Sequence, residues 1–152
     1  MDSNIQQEII LLLNIDNVDA NEQIKILSIC SNVLSSKDFL SNLVSTLENL
    51  FNQQDFDLTS EFARVVLAII KISNNATYYK DIDIKRMKYV IYAVFYYYML
   101  KYKTDLLNKL DLGSLRLLYS NAYDLVELVP ETVKIAKQGC LSCFCLSNKI
   151  KI

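Results

Sequence analysis

The longest apolar stretch of the chain lies between Lys85 and Lys103 and reads KRMKYVIYAVFYYYMLKYK. From Tyr89 to Leu100 it contains twelve residues without a charge, a glycine or a proline. A helix at a protein surface has one apolar stripe, whereas a helix that is apolar on all sides is enclosed by its neighbours. We therefore predict that this segment is the central helix of a helical bundle.

The segments around this stretch repeat apolar residues at spacings of three and four, which predicts amphipathic helices. Asp19 precedes the second of them, with Glu22 in the capping-box position, and Ser36 precedes the third. The other predicted caps are Ser3, Asp57 or Thr59, Asp81 or Asp83, and Ser114. The predicted helices cover about 3–14, 20–35, 36–53, 59–73, 85–103, 114–129 and 130–138, with a short turn near 105–110.

Composition strengthens the prediction of helices. Only two glycines and one proline occur in 152 residues, and a strand-and-turn protein of this length would use more of both in its turns. The length suits one domain with a hydrophobic core. We predict an all-α fold, a single-domain bundle of seven to eight helices around a central hydrophobic Tyr-rich helix. Residues 1–138 would form the bundle and residues 139–152 a Cys-rich C-terminal tail.

Charge is divided unevenly along the chain. Residues 1–76 contain four Lys/Arg and ten Asp/Glu, a net charge of −6, and residues 77–152 contain twelve and seven, a net charge of +5. The two halves could attract each other across one bundle, or they could present opposite charges to neighbouring molecules. Ordinary scatter of surface charge is the third interpretation.

Four cysteines are candidates for covalent or metal chemistry. Cys140, Cys143 and Cys145 form a C-x2-C-x-C cluster, and Cys30 lies far upstream. Together they could bind zinc, form a disulfide or, in the tail with its nearby lysines, accept acyl chains. The remaining alternative is that all four are free thiols that pack as small apolar residues.

Tyrosines of the central helix are candidates for a contact surface. At 100° per residue, Tyr89, Tyr92 and Tyr96 lie on one side, and Tyr98 and Tyr102 lie on another. Tyrosine is favoured at protein interfaces, so these five residues are candidates for contact with a partner. The alternative is a core helix whose hydroxyl groups reach its rim.

Other residues argue against catalysis. The chain has no histidine, the commonest general base and metal ligand. The carboxylate pairs Asp55/Asp57 and Asp81/Asp83 precede predicted helices, where capping explains them better than acid–base chemistry. No glycine-rich phosphate loop and no nucleophile with an adjacent base is evident. We therefore predict no enzyme, and no catalytic, cofactor-binding or metal site.

Nucleic acid and membrane are disfavoured as partners of the body. Lys85, Arg86, Lys88, Lys101 and Lys103 flank aromatic residues, but they stand at the ends of an apolar block in a chain of pI 5.4. The first twenty residues do not resemble a secretory signal, and the central stretch is shorter than the roughly 20 apolar residues of a membrane span. We predict a cytoplasmic or virion location. The membrane alternatives are contact through the tail and an interfacial role for the central stretch, which has Lys/Arg at both ends.

These observations lead to three functional hypotheses. The first is a non-enzymatic structural or assembly protein that binds other proteins, itself or a shell protein, such as a minor component of a virus particle. Abundant Ile, Asn, Lys and Tyr have AT-rich codons and indicate an AT-rich source genome, as many large DNA viruses and their hosts have. Another of the three is a peripheral membrane protein with an acylated Cys tail.

The remaining hypothesis comes from the outline of the fold. A bundle of about 150 residues around one apolar helix resembles the Bcl-2 fold, which implies a small helical regulator that binds a partner helix in a groove. The Asn-Trp-Gly-Arg signature of that family is missing, since the chain has no tryptophan. The resemblance is therefore architectural only and transfers no residues.

Overall fold

The computed structural model describes residues 1–74 and 82–127. Within these residues the chain is all-helical and forms one compact helical bundle. The helices are α1 (Ser3–Ile15), α2 (Ala20–Leu34), α3 (Lys37–Phe51), α4 (Leu58–Asn74), α5 (Ile84–Tyr102), α6 (Thr104–Lys109) and α7 (Leu112–Glu127). The all-α prediction is confirmed for this part of the chain. The predicted helix 130–138, the proposed boundary at residue 138 and the Cys-rich tail lie outside the described residues.

Helix caps account for most of the helix starts. The Asp19 carboxylate accepts a hydrogen bond from the Glu22 amide at 3.0 Å, and the Ser36 hydroxyl accepts one from the Phe39 amide at 3.4 Å, so both predicted caps are confirmed. Asp57, and not Thr59, caps α4, because the Ser60 amide donates to its carboxylate. Asp83 caps α5 by accepting from the Lys85 amide. Asp81 lies outside the described residues.

Two predicted caps are wrong by one and three residues. Asp2, not Ser3, caps α1 by accepting from the Asn4 amide at 2.8 Å. Asp111, not Ser114, caps α7, and the amide and hydroxyl of Ser114 both donate to its carboxylate. An aspartate one to three residues upstream satisfies the free amides of the first turn as well as serine does. The predicted turn near 105–110 is helix α6.

The turn between α1 and α2 depends on a left-handed residue. Asn17 has a φ of 56°, and the amide of Val18 donates back to the Leu13 carbonyl at 3.0 Å. Such a residue after a helix lets the chain reverse while the last carbonyls keep their donors, and asparagine tolerates it better than most residues. The turn brings α2 back beside α1.

Helix α5 is the most enclosed segment of the described chain. Every residue from Tyr89 to Tyr96 is buried, as are Met87, Tyr98 and Met99. It packs against α1, α2, α4 and α6, while α7 lies along α4. No helix of the described ranges is both long and apolar enough to traverse a bilayer.

Candidate functional site

Three acidic residues of the first half of the chain form tyrosine–carboxylate clusters with α5. In each cluster a carboxylate accepts a hydrogen bond from a tyrosine hydroxyl of α5 and forms an ion pair with a basic residue. The clusters are Glu8 with Tyr92 and Arg116, Asp16 with Tyr89 and Lys88, and Glu48 with Tyr98 and Lys103. They connect α5 to α1 and α3, and in one case α1 to α7 as well.

The Glu8 cluster is the most deeply buried of the three. The Glu8 side chain is 4% exposed and that of Arg116 is 16% exposed. One carboxylate oxygen, Oε1, accepts from the Tyr92 hydroxyl at 2.8 Å and from the Arg116 guanidinium at 2.6 Å. The Nε of Arg116 is buried without a hydrogen-bond partner. Because both charges are withdrawn from water, neither can lose its partner cheaply.

The other two clusters lie nearer the surface. Asp16 accepts from the Tyr89 hydroxyl at 2.7 Å and from the Lys88 amine at 3.0 Å. Glu48 accepts from the Tyr98 hydroxyl at 2.7 Å, and the Lys103 amine approaches its other oxygen at 3.3 Å.

These ion pairs explain the uneven charge of the sequence. A fourth pair joins Glu22 to Arg86, with contacts of 2.5 and 3.2 Å. In all four, the acid belongs to residues 1–74 and the base to residues 82–127. These four pairs are attractive contacts between the two halves, as the first interpretation expects, and ordinary scatter of the remaining charges stays an alternative. Presentation of opposite charges to neighbouring molecules stays a prediction.

The surroundings of these groups favour neutral tyrosines and, at Glu48, an ionised carboxylate. Burial, followed by the adjacent carboxylate, raises the pKa of Tyr89, Tyr92 and Tyr98 above the ordinary value of 10.0. The Tyr98 hydroxyl, more than the Lys103 amine, lowers the pKa of Glu48 below its ordinary 4.5. Each phenol consequently acts as a hydrogen-bond donor, and the clusters hold helices together.

Two tyrosines of α7 extend this network to the α5 backbone. The hydroxyl of Tyr123 donates to the Ile84 carbonyl at 2.9 Å, and that of Tyr119 donates to the Lys88 carbonyl. The ring of Tyr119 also lies 4.8 Å from that of Tyr92. The sequence prediction did not include these residues or Arg116. The available signal was that residues 116, 119 and 123, at spacings of three and four, follow one side of a helix.

Four of the five predicted interface tyrosines lie in the core. Tyr89, Tyr92, Tyr96 and Tyr98 are each at most 7% exposed. Tyr102 is 48% exposed, and its ring stacks on that of Tyr98 at 5.6 Å. In this conformation, therefore, only Tyr102 of the five has substantial area for a partner.

The cysteine prediction falls mainly outside the described residues. Cys30 is fully buried, with its thiol 3.9 Å from the Tyr89 carbonyl, and burial raises its pKa to about 12. Cys140, Cys143 and Cys145 lie beyond residue 127, so zinc, disulfide and acylation stay predictions. Across residues 1–74 and 82–127, no group of acidic or sulfur ligands could hold a metal ion.

A cleft of about 390 Å³ opens at the start of α5. Its lining comes from the turn and first residues of α2, the first turns of α5 and the end of α7. The lining residues are Val18, Glu22, Ile26, Asp83, Lys85, Arg86, Lys88, Tyr89, Tyr123 and Asp124. Three are basic and three acidic, so the cleft has both signs of charge in equal number.

Several large apolar side chains are exposed elsewhere. On α7, Leu117 and Leu125 are 64% and 62% exposed, and they stand eight residues apart on its outer face. Ile15 and Ile24 are exposed to a similar degree on α1 and α2. Comparisons with protein-family models, curated proteins and solved structures found no match to this chain.

Proposed function

We propose that the protein is a non-enzymatic structural or assembly protein that acts through protein–protein contacts, with a minor component of a virus particle as one such role. The observation that carries the proposal is the outer face of α7, where Leu117 and Leu125 are uncovered. Exposed leucines are ordinary when single. Two on one face of one helix, with two further exposed isoleucines on α1 and α2, favour burial against a partner.

Two sequence arguments for assembly now have an explanation inside the molecule. Four of the ten acidic residues in 1–74 and four of the seven basic residues in 82–127 form ion pairs with each other, and most tyrosines of α5 are buried in the core. The proposal therefore rests on the apolar surface more than on these two features.

We also infer that α5 is the centre around which the bundle is organised. Support comes from its unbroken buried run, Tyr89–Tyr96, and from its packing against four other helices. A rigid body of this kind suits an assembly role, because a partner surface gains affinity when it is held in its bound shape beforehand.

The hypothesis of a groove-binding regulator has less support, because the structure offers little hydrophobic groove at the cleft beside α5. An amphipathic partner helix requires a hydrophobic groove. The cleft beside α5 has six charged residues around a small apolar floor that includes Val18 and Ile26. We therefore rank this alternative below assembly, and the acylated tail stays a separate prediction.

Isolation of the untagged protein from its natural source tests the proposal. We expect recovery in a large assembly, in fixed ratio to another protein, with cross-links from residues near the α7 face. Variants Leu117→Ser and Leu125→Ser should lower that recovery, whereas the control Thr46→Ser, on the exposed surface of α3, should not. Recovery of the wild-type protein solely as a free monomer would reject an assembly role.

A further inference from the structure

We draw no further inference here: the strongest candidate, the mixed-charge cleft at the start of α5, is lined by equal numbers of acidic and basic residues, and nothing in the described part of the chain shows what occupies it.

Discussion

Replacing Glu8 by glutamine removes one charge from the most buried of the tyrosine–carboxylate clusters. The amide keeps the shape of the side chain, and its oxygen can still accept from the Tyr92 hydroxyl. What is lost is the negative charge opposite Arg116, whose side chain is only 16% exposed and whose Nε already lacks a partner. We expect the free energy of unfolding to fall by about 3 kcal/mol, the lower part of the range for a buried charge that loses its partner.

Urea denaturation followed by circular dichroism measures this loss. With a urea m-value of about 2 kcal/mol/M, the midpoint should fall by roughly 1.5 M. Glu61→Gln is the control: it neutralises a carboxylate that pairs with Arg64 within one helix, and the Arg64 side chain is 53% exposed. A pair of this kind contributes less than about 1 kcal/mol, so the control midpoint should move by less than about 0.5 M.

A double-mutant cycle then separates the ion pair from the rest of the site. Arg116→Met keeps an unbranched apolar stem, although a shorter one, and removes the charge. If the two charges stabilise each other, Glu8→Gln combined with Arg116→Met should cost less than the sum of the single changes, by about 1–3 kcal/mol. Additive effects, or a Glu8→Gln variant within about 0.5 kcal/mol of the wild type, would refute the argument from burial.

Three further predictions concern the α1–α2 turn, acid stability and the buried thiol. Because Asn17 has a left-handed φ, Asn17→Gly should leave stability unchanged or raise it, whereas Asn17→Val should lower it by about 1–3 kcal/mol in urea denaturation; equal effects of the two would contradict the turn geometry. The folded-state pKa of Glu48 is lowered, so its stabilisation is complete above the unfolded-state value near 4.5 and disappears as pH falls through the folded-state value. Urea midpoints should therefore fall less steeply below pH 5 in Glu48→Gln than in the wild type, and parallel curves would count against the Tyr98 contact. Cys30 is fully buried, and burial raises its pKa to about 12, so it should resist iodoacetamide at pH 8 in the folded protein and react after unfolding. Peptide mass spectrometry measures the labelling, and rapid labelling of the native protein would show that the core opens there.

Local signals in the sequence were enough for most helices of the described residues, although α6 was predicted as a turn. The spacing of apolar residues located α1 to α5 within a few residues, because a helix side that faces a core must be apolar at intervals of three and four. The caps at Asp19 and Ser36 followed from the chemistry of free amides. The predicted caps Ser3 and Ser114 are wrong because Asp2 and Asp111, slightly upstream, are better-placed acceptors for the first free amides.

Contacts between distant residues were beyond such signals. Arg116 meets Glu8 across 108 positions of sequence, and nothing local marks either residue as a partner of the other. The tyrosines of α5 read equally well as an interface or as a core, because a tyrosine hydroxyl is satisfied by water or by a buried carboxylate. Only the packing of α1 and α3 against α5 shows which carboxylates lie within reach.

The clusters also determine how α5 is aligned among its neighbours. Apolar contacts alone do not fix the alignment of a helix that is apolar on every side. A small rotation, or a shift along its axis by one turn, would exchange one set of apolar contacts for another of similar energy. The hydroxyls of Tyr89, Tyr92 and Tyr98 lie at three heights along this helix, and in the observed alignment each donates to a different carboxylate. Phenylalanine at all three positions would nearly keep the volume of the core and would remove these three hydrogen bonds. We expect such a chain to stay compact and helical while it samples several alignments of the same helix, so that the single native structure is lost before the stability is.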